Sequence, residues 1–243
     1  MQQLSLDITL PKLHAFAEIV QKLEELSSSI DLRRLILEDV NSLLDSDFGA
    51  SFVWDNQKKS FVDPHSVNLD AEFHRRYSTW YQYKDPITTP LALRRSATIV
   101  DEVISRSRFE STEFYQDFLY RAGLHHGINL YIYDGSRHLC DFRLWRTKDR
   151  PEFSHSEKCL LDALVPFFRK ACLRRRAETT GLTVRENEIA QLVARGYTDQ
   201  DIGRLLSLGV TTIRTHLRNV MEKKSFANRA ELAAFIVAQR VTQ

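Results

Sequence analysis

At 243 residues, 43% hydrophobic and 27% charged, the chain has the composition of an ordinary globular protein and the length of one or two domains. Its formal net charge of +2 hides a split: from Pro166 onward 14 Lys/Arg face 7 Asp/Glu, whereas the first 165 residues carry 20 against 25. A basic C-terminal part suits a polyanionic partner. The cysteines Cys140, Cys159 and Cys172 are odd in number, form no CxxC pair and have no His partner at metal-ligand spacing, so they suggest neither a disulfide framework nor a zinc site. No apolar run reaches the ~18 residues of a membrane span, and the start lacks the pattern of a signal peptide, so a cytoplasmic protein with no membrane partner is expected.

After Pro11, the residues Leu13, Phe16, Ala17, Val20 and Leu23 recur at helical spacing. After Asp31, Leu32, Leu35, Ile36, Val40, Leu43 and Leu44 do the same, so two helices open the chain. ASFVW (50–54) and SFV (60–62) flank a polar turn and predict a hairpin. Residues 71–83 predict a helix stopped by Asp85-Pro86, because the residue before a proline is pushed out of the α region. Residues 107–123 predict another, closing on Gly123.

INLYIYDGSRHLCDFRLWR (128–146) is two alternating runs joined at Asp134-Gly135, a strong hairpin signal. Residues 156–176 predict a long helix with Leu160, Leu161, Leu164, Phe167, Phe168 and Ala171 on its apolar side and a kink at Pro166. Helices outside an antiparallel sheet make the fold class α+β, with an α/β/α sandwich over residues 1–173. The polar segment 174–181 reads as a linker, and 182–243 as a second, all-helical domain.

That domain predicts helices over 184–195, 199–206, 210–223 and 229–240. Thr183 with Glu186 is a capping box, and Thr198 with Asp201 is its acidic variant. On the helix after Gly209, Ile213, Leu217 and Val220 form an inward stripe, while Thr211, Arg214, Thr215 and Arg218 face the other way. Arginines four apart repel unless something outside rewards them. The major groove of DNA does so, because arginine can bond two guanine acceptors and threonine methyls can touch thymine. Arg195, Arg204, Lys223 and Lys224 flank this face and suit phosphates. A lone arginine pair is usually a solvated face; the charge split, the short capped helices and the tight Ser207-Leu208-Gly209 link favour DNA.

Residues 182–235, LTVRENEIAQLVARGYTDQDIGRLLSLGVTTIRTHLRNVMEKKSFANRAELAAF, resemble the four-helix helix-turn-helix domain of LuxR-type (NarL/FixJ-like) transcription regulators. The matching points are Leu182-Thr183, Arg185-Glu186, Glu188, Ala194, Gly196, Ile202, Leu206, Thr212-Ile213-Arg214, His216 and Asn228-Arg229. The resemblance makes the helix from Val210 the recognition helix and implies base or phosphate contacts by Thr211, Arg214 and Arg218. With Thr212, Thr215 and Lys223 these are the expected DNA-binding residues. Gly203 stands where the family usually has alanine, Gly209 where it has serine or threonine, and Lys224 where it has leucine.

One recognition helix reads few base pairs, so the expected partner is a roughly palindromic double-stranded operator bound by a homodimer. The expected dimer surfaces are the helix of 156–176 and the last helix through Leu232, Phe235 and Ile236. RNA polymerase is a further expected partner.

The N-terminal part resembles the GAF-like sensor domains that precede this module, in FYQDFLYRAGLHHGINLYIYDG, FRLWR and EFSHSEKCLLDALVPFFRKACLRRR. YKDP (83–86) resembles an element of acyl-homoserine-lactone receptors. Their aromatic pattern is broken here: Trp80, Tyr81 and Tyr83 crowd against Asp85, and 92–109 holds no tryptophan, which points away from a homoserine lactone. No phosphoacceptor acidic cluster follows a first strand. A pocket between sheet and helices is expected for a small-molecule effector, with Trp54, Trp80, Tyr81, Tyr83, Tyr131 and Trp145 as walls and Asp85 as anchor.

The adjacent His125-His126 cannot face one site and reads as a structural or surface pair. GxSxG, phosphate-loop and HExxH motifs are missing, so an enzyme is not expected, and neither a metal nor a cofactor is called for. Two readings of the sensor stay open: ligand-responsive, or without ligand and acting through dimerisation or a protein partner.

Overall fold

The computed structural model describes residues 8–25, 31–55, 57–135 and 137–241, the side chains of 175–180 and 239–241 excepted. The chain divides into two compact units, the boundary lying between Ala171 and Cys172.

The first unit is built on a sheet of β1 (Phe48–Asp55), β2 (Ser60–Val67), β3 (Thr98–Ile99), β4 (His126–Asp134) and β5 (Arg137–Arg146). The strand order is β2-β1-β5-β4-β3, with antiparallel neighbours throughout. The longest pairing is the β4–β5 hairpin, from His126 opposite Arg146 to Asp134 opposite Arg137. Side chains alternate between the faces of a strand, so Asn129 and Tyr131 share one face with their partners Arg143 and Asp141. Ala50, opposite Arg143 on β1, joins them. Ile128, Leu130 and Phe142 point the other way and are fully buried.

That second face is covered by helices α1 (Leu10–Glu25) and α2 (Leu32–Leu43), with α2 lying on β1, β2 and β5. Beside them run α6 (His155–Ala163) and α7 (Val165–Thr180), and Phe168 of α7 stacks on Phe142 with ring centroids 4.7 Å apart. The sequence predicts one kinked helix over 156–176; the structure breaks it at Leu164 and carries α7 on to Thr180. Pro166 explains the break, since it donates no hydrogen bond and its ring crowds the carbonyl four residues back. Ser154 starts α6 with a full capping box, and its partner Glu157 also pairs with Arg146 at 2.7 Å and Lys12 at 2.8 Å. Burial opposes ionisation of Glu157, but Lys12, the Ser154 backbone and Arg146 outweigh it and bring its pKa down to about 2.

The first face carries α3 (Ala71–Thr79), α4 (Thr88–Arg94), α5 (Arg106–Glu110), a π turn at Phe114–Leu119 and 3-10 turns at Val100–Glu102 and Tyr120–Ala122. Both helices predicted here come out shorter and interrupted. The hydroxyls of Ser78 and Thr79 donate to the Arg75 carbonyl at 3.1 and 2.7 Å, where α3 ends and a 3-10 turn, Tyr81–Tyr83, begins. Ser111 and Thr112 cap Arg108 and Phe109 in the same way at 2.8 and 2.7 Å, and α5 stops there. Side-chain hydroxyls that take backbone partners compete with helix continuation. Gly123 closes the segment in a left-handed conformation, φ 81°.

The second unit holds α8 (Val184–Ala194), α9 (Asp199–Leu206), α10 (Val210–Lys224) and α11 (Arg229–Val241). Leu182, Ile189, Val193, Ile202, Ile213, Val220, Leu232 and Ile236 are its buried core. Both α8 and α9 start in capping boxes, from Thr183 with Glu186 and Thr198 with Asp201. Among the described residues no helix is long and apolar enough to cross a membrane.

Candidate nucleic-acid interface and sensor cavity

The link from α9 to α10 is set by backbone rather than by side chains. Ser207 takes the left-handed conformation, φ 54°, which lets the Leu208 N–H donate back to the Gly203 carbonyl at 2.9 Å. A Cβ on Gly203 would sit 2.7 Å from the Leu208 oxygen, so the turn closes this tightly only because residue 203 has no side chain. Gly209 then caps α10 without a side-chain bond.

Ile213, Leu217 and Val220 face the core and fix the rotation of α10. Thr211, Thr212, Arg214, Thr215 and Arg218 are therefore all exposed. The first turn of α10 contains no acid, so the positive end of the helix dipole is uncancelled where a phosphate would approach.

The cations of this surface differ in how firmly the protein already holds them. Arg214 is 73% exposed with Nε 3.4 Å from Asp199, and Arg218 is 70% exposed with Nε 3.9 Å from Glu222. Both pairs are solvent-screened and exchange easily. Lys223 donates to both oxygens of Glu186 at 2.9 and 2.7 Å. Burial works against the Glu186 charge, yet Lys223 and the Thr183 amide and hydroxyl hold its carboxyl below the usual range. Lys223 is thus tied to the scaffold as well as near the surface. Arg229 shares Asp199 at 2.6 Å and reaches the Tyr197 carbonyl at 2.5 Å. Asp199 lies outside the set expected from sequence, because an acid at the first position of a helix reads as dipole compensation rather than as a partner fifteen residues away.

In the first unit a cavity of about 30 Å³ opens on the first face of the sheet. Its walls include Phe52, Phe73, Phe114, Phe118, Trp145 and Ile87, with Asp85, Thr88, Asn129 and Arg143 as polar members. Of the residues expected from sequence, Trp145 and Asp85 line it. Tyr131 is buried and donates to Thr88 Oγ1 at 3.4 Å, and buried Tyr81 stacks on Phe118 at 4.6 Å. Trp54 packs on Phe61 at 5.0 Å, away from the lining. Trp80 and Tyr83 are 53% and 67% exposed, and the Trp80 indole donates to Glu113 at 2.9 Å.

The sequence reading misses the polar floor. Arg143 donates to Asp141 through Nε and Nη2 at 3.0 and 2.7 Å, and through Nη1 to Tyr77 at 2.6 Å and Thr88 at 3.4 Å. Its guanidinium lies 4.3 and 4.5 Å from the ring centres of Phe61 and Phe52. Burial opposes this charge, but Asp141 and the neighbouring oxygens outweigh it and raise the Arg143 pKa. Burial likewise pushes the Tyr77 and Tyr131 phenols upward.

Asp85 accepts from the amides of Ile87 and Thr88, both at 2.9 Å, and from the hydroxyls of Thr88 at 2.6 Å and Tyr77 at 3.2 Å. Asn129 is 2% exposed, and its Oδ1 has no hydrogen-bond donor.

Two other clusters are structural. His125 is buried against the Tyr115 hydroxyl, and its carbonyl accepts from Arg106 at 2.9 Å. Asp31, Asp63 and His65 bring donor atoms within 4.8 Å of one another, but the Arg33 guanidinium bonds both carboxylates and supplies their positive partner.

Comparison with known proteins agrees with this division. Residues 180–236 match the model of bacterial regulatory proteins, luxR family. The chain is 28% identical over 171 residues to the monoamine regulon transcriptional regulator of Klebsiella aerogenes, covering 69% of this chain and 74% of that protein. It is 35% identical over 94 residues to the HTH-type transcriptional regulator MalT of Yersinia pestis, 39% of this chain but 10% of the longer relative. Escherichia coli SdiA shares the fold over 95% of this chain and 99% of its own, with TM-score 0.50 and 17% identity. The GAF domain of a Coxiella burnetii phosphoenolpyruvate-protein phosphotransferase matches 70% of this chain and 96% of its own, with TM-score 0.51 and 13% identity. The first unit has a GAF-like α+β fold, and the helix-turn-helix unit that follows it matches, over residues 180–236, the luxR family of bacterial regulatory proteins.

Proposed function

We propose that the chain binds a roughly palindromic operator as a homodimer, and that a small molecule held in the first unit changes this binding. The observation that carries the DNA part is the exposed face of α10, where Thr211, Thr212, Arg214, Thr215 and Arg218 stand opposite a fully engaged apolar stripe. Two such helices one DNA turn apart would supply the affinity and specificity that one lacks. The relative named for a monoamine regulon supports control of a defined gene set; RNA polymerase is the further partner this reading calls for.

With an operator selected from a random duplex library, Arg214→Ala and Arg218→Ala should each weaken binding by about 1–3 kcal/mol in a gel-shift titration if they read bases. Unchanged titration curves would remove them from the interface.

The small-molecule part is supported by a polar floor beneath aromatic walls and by the buried, unpartnered Asn129 Oδ1. A second reading also has an observation behind it. The cavity, about 30 Å³, is far below the roughly 300–1,000 Å³ of ordinary ligand sites, which favours a unit that serves dimerisation or a protein partner without a ligand. Ligand-dependent DNA affinity separates the two.

A further inference from the structure

We propose that the occupant of the cavity is a small arylalkyl amine bound as its ammonium form, an inference that rests on the small-molecule reading above. Three charged side chains meet at the floor: Asp85, Asp141 and Arg143. Arg143 and Asp141 form a buried pair within one strand, and His138 beside them is neutral because burial pushes its pKa down to about 4. One negative charge is left over. The four donors on Asp85 solvate it, but none of them carries a charge. Asp85 is half-buried, and leaving it to share the single guanidinium of Arg143 with Asp141 beside Phe52, Phe73 and Phe118 is unfavourable.

Asn129 adds a second deficit of the same kind, a buried acceptor without a donor. An ammonium group brings a positive charge and three N–H donors, and aromatic faces attract it further. A carboxylate ligand would instead add a second unbalanced negative charge, with Arg143 already engaged by Asp141. An alcohol would satisfy Asn129 and leave the charge.

The organic part needs more room than about 30 Å³. Phe118 stacks on Phe73 at 4.4 Å and on Tyr81 at 4.6 Å, and it sits on the π turn Phe114–Leu119. π turns accommodate one extra residue per turn and recur at functional sites. Displacing Phe118 by shifting that turn would free a slot between two rings that an aryl group fills in the same stack.

The test uses the full chain and three probes of one skeleton, 2-phenylethylamine, 2-phenylethanol and phenylacetate, followed by titration calorimetry and thermal melting. The amine should bind at least tenfold tighter than the alcohol, and the acid not at all. Asn129→Leu should weaken the amine at least tenfold. Should that variant fail to fold, Asn129→Asp, which keeps the side-chain shape and adds a charge, should tighten it. Alcohol or acid binding as tightly as the amine overturns the amine assignment while the small-molecule reading stands. No binding of any probe overturns the assignment as well. Amine binding that leaves operator affinity unchanged supports the site and overturns its regulatory role.

Discussion

Asp199 is the residue on which the proposed DNA-binding face turns, because its one carboxylate serves Arg214 at 3.4 Å and Arg229 at 2.6 Å. On the proposed binding mode, Arg214 would leave Asp199 for a base or phosphate, and the freed carboxylate would repel the DNA backbone. The acid therefore opposes indiscriminate binding, where contacts are chiefly with phosphates. Asp199→Asn should bind random-sequence duplex a few-fold more tightly in an anisotropy titration, most visibly at low salt. The gain should shrink in an Arg214→Ala background. Equal affinity of Asp199→Asn and the parent at low salt would sink this role.

In the first unit the polar residues of the cavity are less legible from sequence, for a physical reason. Tyr131 and Trp145 are legible as inward-facing from alternation in the β4–β5 hairpin. The same alternation puts Asn129, Asp141 and Arg143 on that face, yet polar residues in a strand ordinarily mark the solvent side. Only the mutual pairing of Arg143 and Asp141 makes their burial tolerable, and that pairing is a feature of packing. Trp80 and Tyr83 show the converse, since an aromatic ring next to a candidate anchor can still lie on the surface.

At the scale of elements, the departure from the family at position 203 has a structural reason. The Leu208 oxygen lies 2.7 Å from where a Cβ on Gly203 would stand, and that atom is backbone, so the clash cannot be relieved by a rotamer change. Gly203→Ala should destabilise the second unit by about 1–3 kcal/mol, the usual scale of overpacking, measured by urea unfolding. Gly209→Ser makes only an ordinary contact, with Thr212 Oγ1 at 3.9 Å, and should be neutral or stabilising by a few tenths of a kcal/mol. An Ala variant as stable as the parent would show that α9 and α10 can separate without cost.

Helix existence was legible wherever apolar spacing ran uninterrupted, as in α2, α8 and α10. Helix integrity was not, where Ser78-Thr79 and Ser111-Thr112 turn their hydroxyls on the backbone. The short α4 and two-residue β3 leave too few residues for a period to show.

At the scale of the whole molecule, the split of charge along the chain follows its division into an acidic α+β unit and a basic helical one. Fold class was readable because the Asp134-Gly135 hairpin and the flanking amphipathic helices leave few layer arrangements. Dimerisation is a whole-molecule property, and its prediction is that the protein sediments as a dimer at micromolar concentration in the presence of operator duplex. A monomer with and without DNA would rule out the two-helix, one-turn geometry. In that case the affinity of a single α10 would have to be explained by phosphate contacts alone.

The three tryptophans occupy three distinct settings, with Trp145 5% exposed in the cavity wall, Trp80 53% exposed, and Trp54 between them. Indole emission shifts to the red with water contact, so the native spectrum is a composite in which the cavity contributes the bluest part. Replacing Trp54 and Trp80 by phenylalanine would leave a single indole whose colour records, without any label, whether water or an occupant stands against the sheet.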